Sequence, residues 1–192
     1  MSFDSIASLQ KKYQREISKI NEINISIFFV GMMGCGKTTL GNIISKTLQC
    51  NFIEMDLQLE RKLGMTVKEI FQQHGEEFFR THEKHLLKEI CQEKNYVISC
   101  GGGVYCDNDN IKQINSSGIS IFLNVSSKVL EQRLSGDQKR PLLHKKPVNS
   151  LLLQRILYYT QSHIMIDLNE GNIDDNIGQI ITELYKYIIH NE

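Results

Sequence analysis

The chain has 192 residues, 41% of them hydrophobic, and carries 22 basic against 22 acidic side chains. One α/β domain of this size buries a substantial core unaided, and charge neutrality excludes the global field by which a protein collects nucleic acid or an anionic membrane. No apolar run reaches the length of a bilayer span, residues 1–4 carry neither a basic n-region nor an apolar h-region, and the five cysteines lack metal-ligand spacing, so no secretory signal and free thiols in a reducing, cytoplasmic compartment are expected.

In chain order, Ile6, Leu9, Tyr13, Ile17 and Ile20 recur at three- and four-residue intervals, which predicts one amphipathic helix over 5–22. Residues 1–23 are read as a helical extension packed outside a domain spanning 24–192, with partner docking as the alternative. Residues 25–30 are a continuous Ile/Phe/Val-rich run, the mark of a fully buried strand. The run stops at Gly31, and Gly31-x-x-x-x-Gly36-Lys37-Thr38 is a complete phosphate-binding loop. Backbone N–H groups of Gly34, Cys35, Gly36, Lys37, Thr38 and Thr39 would cradle an anion ahead of a helix over 39–48. Lys37 would reach the terminal phosphates and the Thr38 hydroxyl would ligate Mg²⁺. The Cys35 thiol has two readings, an activated thiolate beside Lys37 or a buried inert group.

Residues 51–56 read as a short strand ending in acid. There Glu54 and Asp56, two apart, would share a face, either turned to one site or solvated. A helix follows over 57–63, and Thr66-x-x-Glu69 is a capping box opening the next. Gly75 restarts a helix to about residue 91 that carries Arg80. A second buried strand, 96–100, runs into Gly101-Gly102-Gly103, where missing side chains suit close approach to a ligand at a strand's C-terminal end. Residues 119–125 form a fourth strand, and 127–134 a helix carrying Arg133. The cationic stretch 135–148, with both prolines and Arg140, is the candidate mobile lid or else a solvated loop. A helix over 151–160 carrying Arg155, a strand over 164–168 and a helix over 173–190 close the chain. Strands alternating with helices predict one parallel, three-layer α/β domain.

The phosphate loop, the acid-x-Asp at 54–56, Phe79-Arg80 followed by Glu83, the glycine triplet, Arg140-Pro141-Leu142-Leu143 and Arg155-x-x-x-Tyr159 come in the order and spacing of the shikimate kinases. The resemblance covers roughly residues 25–190. It implies a P-loop NTPase fold like that of the nucleoside monophosphate kinases, with a five-stranded parallel sheet in the order 2-3-1-4-5 and a lid. It also implies transfer of the γ-phosphoryl group of ATP, with Mg²⁺, to the 3-hydroxyl of shikimate in aromatic amino-acid and chorismate biosynthesis.

By the same resemblance, Asp56 would hold and deprotonate the attacking hydroxyl, and Lys37 and Arg140 would complete the catalytic set. Arg80 and Arg155 would grip the shikimate carboxylate, and the backbone of Gly101 and Gly102 would contact the substrate. Arg133 would stack on adenine, Glu83 would hold Arg80, and Thr38 with Glu54 would hold Mg²⁺. Glu54 replaces the family's usual aspartate, and Ile173 stands where many members place a proline under the adenine. A monomer is expected, with shikimate as its small-molecule partner and neither nucleic acid nor membrane. The rivals are a kinase of another hydroxylated acid, such as gluconate, and a nucleotide-binding regulatory or scaffold protein docking through its N-terminal helix.

Overall fold

A computed structural model describes residues 3–135, 147–168 and 172–192. Five parallel strands, β1 (Ser26–Val30), β2 (Asn51–Glu54), β3 (Tyr96–Ser99), β4 (Gly118–Asn124) and β5 (Ile164–Asp167), form one sheet in the order β2-β3-β1-β4-β5. Every residue of β1 is buried, Ser26 included, as its Ile/Phe/Val-rich run requires of a strand covered on both faces. Phe28 pairs with Ile98 on one side and Ser120 on the other. β1 leads to β2 on its left, whereas neighbouring β3 leads to β4 on its right. The connections from β1 and β3 therefore run to opposite sides, and a crevice opens beyond the carboxyl ends of these two parallel strands, where α/β sheets of this kind bind ligands.

The helices are α1 (Phe3–Lys12), α2 (Gln14–Glu22), α3 (Lys37–Leu48), α4 (Met55–Leu63), α5 (Val67–Gln73), α6 (Gly75–Ile90), α7 (Asn108–Ser117), α8 (Ser127–Leu134), α9 (Val148–Tyr159) and α10 (Ile173–His190). The capping box at Thr66 forms as expected, the side chains of Thr66 and Glu69 each accepting the other's backbone N–H. α7 occupies a stretch that carried no predicted element. Asp107 caps it by accepting from the N–H groups of Asp109 and Asn110, while Ile111 and Ile114 pack inward.

Two elements differ from expectation. The single helix over 5–22 is broken at Tyr13, because its halves pack on different partners, α1 against α3 and α2 against both α10 and α3. Leu9 and Ile20 join the common core, Gln10 donates to the Thr47 carbonyl at 3.1 Å, and a Cβ on Gly178 would overlap the Tyr13 hydroxyl. The extension therefore shares the domain's core. The second difference is β2, which ends at Glu54 rather than at residue 56, so Asp56 lies in the first turn of α4. The shared face of a strand is thus not what relates the two carboxylates.

Arg140 and the expected lid, apart from its ends at Ser135, Pro147 and Val148, lie outside the described residues. Among the described residues no helix is long and apolar enough to cross a membrane.

Candidate active site

The loop after β1 turns through three glycines, of which Gly31 at φ +136° and Gly34 at φ +78° lie where only glycine sits without strain. A Cβ on Gly31 would also stand 2.9 Å from the Leu123 carbonyl oxygen. The turn brings Gly34, Gly36, Lys37, Thr38 and Thr39 to one wall of a cavity of about 230 Å³. At its floor the Lys37 ammonium is buried and donates to the carbonyls of Gly31 and Met32, both at 2.9 Å. The N-terminus of α3 opens onto the same space, so amide dipoles and ammonium converge there.

Cys35 stands apart from its neighbours. Its N–H donates inward to the Met32 carbonyl at 3.2 Å, and its side chain is 1% exposed. The inert reading of this thiol is the one its burial supports.

A second cavity, about 380 Å³, adjoins the first and shares Met33, Thr38, Glu54, Asp56 and Gly102 with it. Arg80, Glu83, Gly103 and Arg155 also line it. The strand register explains the meeting. Glu54 pairs with Ser99, so the β2–α4 junction lies beside the glycine triplet that ends β3. Glu54 caps α4, its Oε2 accepting from the Leu57 N–H at 2.7 Å, and Asp56 follows in the first turn, where the helix end favours negative charge.

The triplet's missing side chains make room for the protein's own charged groups. A Cβ on Gly101 would stand 2.7 Å from Asp56 Oδ1 and 2.8 Å from Glu83 Oε1, and one on Gly103 would enter the Arg80 guanidinium.

Arg80 donates to Glu83 Oε2 at 2.5 Å and to Glu76 at 3.3 Å. Burial would lower the Arg80 pKa, but the two carboxylates carry it upward. Glu83 is 3% exposed, and its Oε1 has no hydrogen-bond partner among the described residues. Burial pushes its carboxyl up to about 7 against the pull of Arg80, with Asp56 adding to the rise. Glu54 is also raised, first by burial and then by the charge of Asp56.

These shifts fix a pH dependence. With its folded pKa raised from 4.5, Glu83 keeps its proton longer in the folded than in the unfolded chain. Its contribution to stability is therefore present below about pH 4.5 and is lost as the pH climbs towards 7. A rise of that size corresponds to about 3 kcal/mol. The melting temperature of the ligand-free protein should fall between pH 5 and 7.5, and Glu83→Gln should flatten that slope. An identical slope in the variant would assign the loss to other groups.

The Gly102 carbonyl accepts from Arg155 Nη1 at 3.2 Å and from the Tyr159 hydroxyl at 2.5 Å. Arg133 donates to the carbonyls of Gly34 at 3.2 Å and Cys35 at 3.4 Å, which braces the phosphate loop from α8. The hard oxygen donors around the first cavity, the Thr38 hydroxyl with the carboxylates of Glu54 and Asp56, suit Mg²⁺, which needs only one or two carboxylates beside substrate phosphates. Sequence reasoning missed the apolar wall of the larger cavity, made by Val67 and Phe71 of α5 with Phe79 of α6. The four-residue spacing of Val67 and Phe71 was the available signal, but it reads equally as core.

The model of the shikimate kinase family matches residues 33–186. A shikimate kinase of Caldanaerobacter subterraneus subsp. tengcongensis is 36% identical over 165 residues, 84% of this chain and 96% of that one. One from Clostridium botulinum strain Eklund 17B is 38% identical, over 86% of this chain and 98% of that one. Among solved structures, the Acinetobacter baumannii shikimate kinase in complex with shikimate superposes with a TM-score of 0.80 at 32% identity, covering 88% of this chain and 94% of that one. A Sinorhizobium meliloti gluconokinase, at 16% identity and a TM-score of 0.52 over 88% of this chain and 93% of that one, shares the fold alone.

Proposed function

The chain belongs to the shikimate kinase family, and from that premise we propose how its own residues carry out the reaction. It transfers the γ-phosphoryl group of ATP to the 3-hydroxyl of shikimate, giving shikimate 3-phosphate and ADP, with ATP and Mg²⁺ as its cofactors. One observation carries the assignment of roles: Thr38, Glu54, Asp56, Arg80, Gly102 and Arg155 all line one cavity, which opens into that of the phosphate loop.

Phosphoryl transfer asks for alignment and for neutralisation of the equatorial oxygens more than for covalent chemistry. The amides of Gly34, Gly36, Lys37, Thr38 and Thr39 hold the phosphates, and the Lys37 ammonium exchanges its loop carbonyls for phosphate oxygens. Thr38 and Glu54 would hold Mg²⁺, which supplies charge neutralisation on those oxygens when bound. Arg133, held beside the loop by the Gly34 and Cys35 carbonyls, would lie against adenine. Arg140, outside the described residues, is assigned to the transferring phosphoryl on its sequence position and charge alone.

On the acceptor side, Arg80 and Arg155 present guanidinium forks to the carboxylate, whose two oxygens match parallel N–H donors. Gly102, which lines both cavities, leaves space for the ring, whereas the space beside Gly101 is taken by Asp56 and Glu83. Asp56 accepts the proton of the 3-hydroxyl as the oxygen–phosphorus bond forms. The free thiols support a cytoplasmic setting, and the N-terminal helices serve to cover α3 and α10, which is consistent with a monomer.

Arg155→Leu should weaken shikimate binding by about 10–100-fold, the worth of a hydrogen bond to a charged group, with MgATP affinity unchanged by calorimetry. Arg80→Leu should do the same and also destabilise the fold, because it leaves Glu83 buried without its cation. Unaltered shikimate affinity in both variants would remove the carboxylate site from this cavity.

A further inference from the structure

Tyr159 ends α9 one turn beyond Arg155 and is fully buried, its ring stacked on Phe122 of β4 with centroids 5.1 Å apart. Its hydroxyl meets the Gly102 carbonyl at 2.5 Å and has Met32 Sδ of the phosphate loop 3.7 Å away. Arg155 Nη1 donates to the same carbonyl at 3.2 Å, so these two close donors take both of its lone pairs, with the Cys106 thiol a weak third at 4.0 Å. A buried phenol whose pKa is pushed well above its ordinary value, chiefly by burial, keeps its proton and stays a donor at any working pH. The peptide is trans, so fixing the Gly102 oxygen turns the Gly103 N–H away from Tyr159. Gly103 itself forms the cavity wall against Arg80.

We propose that Tyr159 is a positioning residue for shikimate: its hydroxyl locks the Gly102–Gly103 peptide and, through the shared carbonyl, the resting place of the Arg155 guanidinium. This rests on the carboxylate site assigned above to Arg80 and Arg155. Buried Met32 of the phosphate loop, the Gly102 carbonyl of the glycine triplet and, through that carbonyl, Arg155 are joined at this one hydroxyl. Without it, the peptide plane and the guanidinium each gain freedom that shikimate must remove on binding, and the cost falls on the acceptor rather than on ATP.

Tyr159→Phe keeps the ring and its stack on Phe122 and removes only the hydroxyl. It should raise the KM for shikimate about tenfold, roughly the worth of one buried hydrogen bond, while the KM for MgATP stays unchanged and kcat changes by less than about threefold. The Gly103 amide should exchange with solvent faster in the variant. A lowered melting temperature with both KM values unchanged would mean a purely structural hydroxyl and would overturn the proposal. Arg155→Leu, measured alongside, separates the two levels. If it weakens shikimate and Tyr159→Phe does not, positioning fails while the site stands; if neither does, the site assignment itself fails. In the wild-type protein the Tyr159 hydroxyl proton should give a slowly exchanging resonance with contacts to Gly102, and a rapidly exchanging one would also overturn the proposal.

Discussion

Asp56→Asn should lower the turnover number by on the order of 10²–10⁴-fold while MgATP binds nearly as before. The carboxylate stands in the first turn of α4, with Oδ1 in the space that a side chain on Gly101 would fill and with the phosphate loop forming the opposite wall. From there it can accept a hydrogen bond from the attacking hydroxyl and take its proton. An amide has nearly the same shape and still accepts the hydrogen bond, but it cannot take the proton. Shikimate affinity should change little, because Arg80 and Arg155 remain. Steady-state kinetics with a separate nucleotide titration decide the matter. Near-normal turnover would reduce Asp56 to orientation, and lost MgATP binding would place it in the metal site instead of Glu54.

Lys37→Met should cost on the order of 10²–10³-fold in kcat and should weaken MgATP as well, the opposite pattern across the two ligands. Methionine keeps the length and apolar stem of a side chain only 8% exposed, so the floor of the cavity stays filled. What disappears is the ammonium, together with its bonds to the Gly31 and Met32 carbonyls. Those carbonyls then face the phosphate site with no cation between them and the incoming negative charge. Full MgATP affinity in this variant would show that the loop amides and Mg²⁺ suffice to hold the phosphates.

The phosphate loop and the strand before it were legible because one mechanism imposes both: glycine where the chain turns left-handed, and an apolar run where a strand is covered on both faces. The order of the sheet came from resemblance rather than periodicity, which cannot say which strands neighbour which. The misplaced end of β2 has a local cause. Period-two reasoning carried the strand to Asp56, whereas Glu54, not among the strongly preferred capping residues, uses its carboxylate to start α4 two residues earlier. The break at Tyr13 was invisible because the apolar spacing runs through it, and only packing on α3 and α10 divides the helix. For the glycine triplet, sequence alone suggested close approach of a ligand. In the fold Gly101 and Gly103 yield space to Asp56, Glu83 and Arg80, a crowding that no single stretch of sequence records.

The most direct test is release of ADP from MgATP by the purified full chain, measured with shikimate, with gluconate and with no acceptor, the phosphorylated product being located by phosphorus NMR. Rapid ADP release with shikimate alone, and a phosphate on its 3-hydroxyl, is the predicted result. Equal release with gluconate, or release that ignores the acceptor, would contradict the assignment of this cavity to shikimate.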